Sequence, residues 1–160
     1  MTKETKHGRR RPGDHKLAAM ASLGCFEGCS AATLRRLGSL FDWVEVAPGT
    51  MLAPTRPRSA WLAVVLDGEM VSIEHGMPVI VRRGDCVGHE AFFDATVSSS
   101  PAVALTSLTM LIIGRAAFVG VTQAAPSVAV ALGRTPDRVR LDQVDRSGVE
   151  NALVRLALAS

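Results

Sequence analysis

Two stretches decide the fold: Trp61-Leu-Ala-Val-Val-Leu-Asp-Gly68-Glu-Met-Val71, and the Arg83-Gly-Asp85-Cys-Val-Gly88 that follows it. Ala60 to Leu66 is an apolar run of strand length, Asp67-Gly68 signals a tight hairpin, and Glu69 to Glu74 reads as the returning strand. His75-Gly76 turns the chain into Pro78 to Arg82, and Gly84-Asp85 turns it again. Working backward, Trp43-Val-Glu-Val46 alternates with period two and ends at Pro48-Gly49. Working forward, Val103 to Leu105 and Met110 to Ile113 are the last strong strands. Several short strands separated by turns at such spacing indicate an antiparallel sandwich or barrel.

Helical patterns flank this middle. Leu34, Leu37, Leu40 and Phe41 recur at helical spacing behind Ser30, a good N-cap, which predicts a helix over 31–41. Arg115 to Gln123 reads as a helix, and Pro126 and Gly133 confine the next one to Ser127–Leu132. Pro136 breaks the chain, and a last amphipathic stretch over 149–158 places Val149, Ala152, Leu153 and Leu156 on one face. The fold class is mainly β with flanking helices. Residues 1–16, polar and without apolar periodicity, form a disordered arm in this reading, residues 17–132 the domain, and residues 133–160 a helical extension.

Composition narrows the function classes. The 160 residues are 48% hydrophobic and 21% charged, enough to bury a core. Aromatics are 4% with no Tyr, so that core is aliphatic. The apolar runs are too short to span a bilayer, and the charged N-terminus lacks the apolar region of a secretory signal. The expectation is a cytoplasmic protein. Residues 1–16 hold six Lys and Arg against two acids, whereas the other 144 hold 12 Arg and 13 acids. The basicity sits on the arm, and a near-neutral body argues against a DNA-reading face. Cys25, Cys29 and Cys86 lack a second pair at metal spacing and read as reduced, small hydrophobes. No P-loop, no zinc-protease His-Glu-x-x-His and no nucleophile elbow is present, so no enzyme, catalytic residue or metal site is assigned.

In this order the motifs resemble the cyclic-nucleotide-binding domain, the sensor half of catabolite-activator-type (Crp/Fnr) regulators. The similarity covers residues 23 to about 132. It is carried by Leu23-Gly-Cys-Phe26 with its Ser-capped helix, Val46-Ala-Pro-Gly49-Thr, the two opening stretches, and Val103 through Phe118. The resemblance implies an eight-strand β-roll with a short helix inside it. It also implies a phosphate-binding cassette that begins Phe-Gly-Glu. In that family the Gly admits the ligand backbone-close, the helix amides face the cyclic phosphate, the Glu takes the ribose hydroxyl, and an Arg about ten residues on pairs with the phosphate.

Here the corresponding segment is Val87-Gly88-His89-Glu90-Ala91-Phe92-Phe93. Gly88 is kept, His89 follows it, and Glu90 comes one residue late, a turn of about 100° on a helix. Counting back from Val103 puts Ser99 where the family has its Arg, within Ser98-Ser99-Ser100. A charge-assisted hydrogen bond contributes about 1.5–3 kcal/mol, so its loss weakens phosphate binding about ten- to 150-fold. Pro57-Arg58-Ser59-Ala60 spells the family's Arg tetrapeptide on the wrong side of the cassette and reads as loop.

The candidate ligand residues are Gly88, His89, Glu90, Ala91, Ser99 and Ser100; a weaker anion-binding candidate is Arg9, Arg10 and Arg11 of the arm. Each has a plainer reading. His89 can simply fill a cassette that no longer binds, Glu90 suits a helix N-terminus, and the serines suit a polar loop. Phe92 and Phe93 suit core and lid packing, and the Arg run suits a solvated tail. Three functions follow. The first is a regulatory domain with impaired cyclic AMP binding that acts through a protein partner. The second is a working small-ligand sensor with a rewired cassette between the helix after Gly88 and the strands around Val71–Ile73 and Ala102–Leu105. The third is a nucleic-acid accessory protein using the arm. No cofactor is assigned beyond cyclic AMP as a doubtful ligand, and a homodimer is compatible with the pattern. Only 42 residues follow Phe118, and Pro126, Gly133 and Pro136 interrupt them, which does not suit a DNA-reading module.

Overall fold

A computed structural model describes residues 12–52, 61–74, 76–94, 101–134, 139–140 and 149–158. The chain opens with helix α1 (Pro12–Ala21), a single 3-10 turn (Gly24–Phe26) and helix α2 (Ala31–Gly38). Ser30 caps α2 as its spacing predicts: it is extended, and its hydroxyl accepts from the Thr33 amide at 3.1 Å. Residues 12–16 are a correction. The polar composition put them in the arm, but Pro12 starts α1, where a missing N–H costs nothing, and Lys16 reaches across. Its ammonium donates to the Gly38 carbonyl at 2.5 Å and to that of Phe41, holding the end of α2. The rest of the arm lies outside the described residues.

The middle forms strands β1 (Asp42–Val46), β2 (Met51–Leu52), β3 (Trp61–Asp67), β4 (Met70–Glu74), β5 (Met77–Val81) and β6 (Cys86–Val87). Helix α3 (His89–Phe93) follows, then β7 (Ala102–Ala104), β8 (Leu108–Gly114), α4 (Arg115–Ala124), α5 (Pro126–Gly133), β9 (Val139–Arg140) and α6 (Val149–Leu158). Two antiparallel sheets stack, ordered β1-β8-β3-β6 and β2-β7-β4-β5-β9. The mainly β class with flanking helices holds.

The hairpin read at Asp67-Gly68 is overturned. β3 pairs with β8 and β6 in the first sheet, whereas β4 pairs with β5 and β7 in the second. The Asp67-Gly68 corner carries the chain from one sheet to the other. Gly68 has φ +89, and a Cβ there would lie 2.2 Å from the Ser107 carbonyl oxygen. The β4–β5 hairpin is as expected, with Glu74 opposite Met77.

The strands separate three apolar layers. Ala63, Val65, Met70, Val79, Val81, Val87, Ala102, Ala104, Leu108 and Met110 fill the space between the sheets. Leu62, Val64, Leu66, Leu111 and Ile113 face the other way, against Met20, Phe26, Leu37, Phe41, Val121, Val128 and Leu132 of the helical layer. The run Leu62–Leu66 lacks alternation because both faces of β3 are covered. On the outer face of the second sheet, Val71, Ile80 and Val103 pack under Val149, Ala152 and Leu156 of α6.

The helical extension read over 133–160 packs on the body where it is described. Val139–Arg140 adds β9 to the edge of β5, and α6 lays its apolar face on the sheet. Arg155 donates to the Gly49 carbonyl. Among the described residues no helix is long and apolar enough to cross a membrane.

Candidate functional site

The candidate cassette runs from β6 through Gly88 into α3. Asp85 shapes the approach: its amide donates to the Arg82 carbonyl at 3.0 Å, and its carboxylate accepts from the Arg82 amide at 2.9 Å. Gly88 then takes φ +86, and a Cβ would lie 2.4 Å from the Trp61 carbonyl oxygen. Glycine is required here by the β3 backbone pressed against it, whatever approaches from the other side. The Phe92 amide donates to the Gly88 carbonyl at 3.1 Å and closes the one full turn of α3.

Gly88, His89 and Ala91 are brought together at this turn. His89 is buried, with 5% of its surface exposed, as are Ala91 and Phe92. The backbone of Glu90 belongs to α3; its side chain, and all of Ser98, Ser99 and Ser100, lie outside the described residues. So do Arg9, Arg10 and Arg11 of the arm, the Arg58 tetrapeptide and His75. Phe92 and Phe93 divide: Phe92 joins the helical-layer core, and Phe93 is half exposed.

The strands named for a ligand space have two faces. Val71 and Val103 point outward, beneath α6. Inward point Met70, Ser72, Val79, Val81, Ala102 and Ala104, in register across β4, β5 and β7. All are buried, and most belong to the apolar layer between the sheets. Ser72, opposite Val79 and Ala102, is the polar group among them, 1% exposed. A lone Ser between strand hydrophobes gave no signal in the sequence. A described cavity of about 330 Å³ opens elsewhere, at the corner of α1 and the 3-10 turn, lined by Ser22, Leu23, Phe26, Glu27, Cys29 and Leu34 among others.

The cations around the cassette each have structural work. Arg82 pairs with Glu69 at 2.8 Å. Arg83 donates to the Leu66 carbonyl at 2.9 Å and to the Ser22 hydroxyl at 2.6 Å, tying roll to helical layer. Arg115, the first residue of α4, donates from Nε to the Phe92 carbonyl at 3.0 Å and from Nη2 to the Ala91 carbonyl at 2.5 Å. Sequence reasoning missed it, because an Arg at a helix start carries no local mark of what it holds.

None of the three cysteines forms a disulfide. Burial pushes the Cys25 thiol up to about 11, its own backbone hydrogen bond opposes that, and neighbouring Cys29 adds a small further rise. Among the described residues no group of three or more His, Cys, Asp or Glu could hold a metal ion.

No family model and no curated protein sequence matches the chain. Solved structures do. A regulatory subunit of a cAMP-independent protein kinase A from Trypanosoma brucei aligns with TM-score 0.63 and 18% identity over 78% of this chain and 48% of its own. A cAMP-binding acyltransferase from Mycobacterium smegmatis aligns with TM-score 0.58 and 21% identity over 75% and 39%. A regulatory subunit of a cAMP-independent protein kinase A from Trypanosoma cruzi, bound to guanosine, aligns with TM-score 0.56 and 18% identity over 74% and 43%. The chain thus spans half or less of each of these proteins.

Proposed function

From a chain that carries the fold of cyclic-nucleotide-binding domains, we propose a regulatory domain that has lost tight cyclic AMP binding and acts through a protein partner. The observation that carries this reading is the apolar, buried set of side chains between the sheets. Met70, Val79, Val81, Ala102, Ala104 and Met110 occupy the space between the sheets, and His89 is buried at the cassette. The sequence adds the second support: Ser99 stands where the resemblance expects the phosphate-binding Arg. A cyclic phosphate here would face apolar side chains from the sheets and would lack that cation. The proposal assigns the chain no catalytic step.

A second reading is a sensor for an uncharged nucleoside. The guanosine-bound likeness favours it, since such a ligand does not need the missing Arg. One calorimetric series separates the two. Cyclic AMP, cyclic GMP and guanosine are titrated into wild type and Ser99→Arg. The regulatory reading expects a silent wild type and cyclic AMP binding by Ser99→Arg strengthened at least tenfold. Micromolar cyclic AMP binding by wild type overturns it. Guanosine binding with both cyclic nucleotides silent selects the second reading.

A further inference from the structure

We infer that Arg115 is the positioning residue of the cassette helix, so that α4, rather than the sheet alone, sets where α3 stands. The inference takes α3 as the cassette, as the proposed function does, but needs no ligand.

Five residues make an unstable helix by themselves, because nucleation is unfavourable and too few bonds follow it. The terminal carbonyls of such a helix have no partners within it. Arg115 answers two of them at once, those of Ala91 and Phe92, from adjacent nitrogens of one planar guanidinium. The negative end of the helix favours the cation as well. A lysine would meet the carbonyls from one freely rotating point charge, without the fixed planar fork that sets their direction.

Three residues further along the same face of α4, Phe118 meets α3 a second time. Its ring lies edge-on to Phe92 at 5.1 Å and to Phe93 at 5.4 Å. The far side of α4 is fixed too: a Cβ on Gly120 would lie 2.9 Å from the Leu40 side chain, so α4 rests on the turn that follows α2. The cassette helix is therefore strapped to the helical layer through Arg115.

Hydrogen exchange read by mass spectrometry tests this on wild type, Arg115→Ala and Arg115→Lys. Arg115→Ala is expected to speed exchange in a peptide spanning 88–94 about tenfold, with β3 and β8 peptides unchanged. Arg115→Lys should fall between Ala and wild type. Wild-type exchange of the 88–94 peptide in Arg115→Ala overturns the inference. So does acceleration shared equally by β3 and β8, which marks a general loss of stability. Should Arg115→Ala fail to fold, an unchanged 88–94 peptide in a folded Arg115→Lys also overturns it. If the exchange result holds while calorimetry finds cyclic AMP binding, Arg115 keeps its role and only the impaired-binding reading falls.

Discussion

The two sheets of the roll are sealed in opposite ways. Behind β1-β8-β3-β6 lies a layer of helices that precede and follow strands β1 to β8 in sequence: α1, the 3-10 turn, α2, α4 and α5. Behind β2-β7-β4-β5-β9 lies, among the described residues, α6 alone, held by Val149, Ala152, Leu156 and the bond from Arg155 to the Gly49 carbonyl. The first seal shares its core with the cassette, since Phe92 belongs to it. The second touches the roll from outside. One side shares its packing with the candidate site, and the other keeps strand hydrophobes from water.

Matched truncations break this comparison most strongly. Leu111 and Leu156 are both 1% exposed or less, so they would lose similar side-chain burial. Leu111→Ala leaves a cavity between β8 and the helical layer that cannot collapse, and should cost about 4 kcal/mol of unfolding free energy. Leu156→Ala should cost about 2 kcal/mol, because α6 can undock locally instead of the whole domain unfolding. Denaturant titration measures both. Exchange in a 149–158 peptide should rise in Leu156→Ala only. Equal costs for the two variants would mean the two seals are equally integral.

Alkali sharpens the comparison by acting on one side. Cys25 packs against the helical-layer core, and burial lifts its thiol from 9.0 to about 11. The folded state therefore keeps a proton that the unfolded chain gives up. Stability is fully present below pH 9 and is lost as pH rises through the interval from 9 to 11. The loss is on the order of 2 kcal/mol. Chemical denaturation at pH 8 and pH 10.5 reads it, and Cys25→Ser should flatten the slope. A slope that persists in Cys25→Ser would assign the effect to another group.

What the sequence revealed was what is local. The Ser30 cap, the β4–β5 hairpin, the extents of α4 and α5 and the apolar face of α6 all follow from spacing or turn chemistry within a few residues. Asp67-Gly68 misled for the same reason. Locally it is a hairpin turn, and only the pairing of β3 with β8, over forty residues away, makes it a corner between sheets. The unalternating Leu62–Leu66 run did carry a sign of burial on both faces. Residues 12–16 look like tail because nothing in their composition announces that Lys16 will cap α2. At the site, Gly88 was legible as a special backbone position, though its close neighbour is β3. The burial of His89 and Ser72 and the fork of Arg115 depend on tertiary placement and left no mark.

The smallest effect asks whether the helical layer is one unit. Ser30→Ala removes the bond to the Thr33 amide and should cost about 1 kcal/mol. Ser30 is exposed, so no cavity or buried charge adds to that figure. If α2 is fused to the layer, the cost appears as global stability in denaturant titration. The reason is that Leu34 and Leu37 cannot leave without opening the core that α4 and α5 share. Exchange in the 31–38 peptide would then change only through the global unfolding equilibrium. If instead those amides accelerate while the denaturation midpoint stays at the wild-type value, α2 frays independently. The helical side would then resemble the α6 side, and the contrast between the two seals would fail at its firmer end.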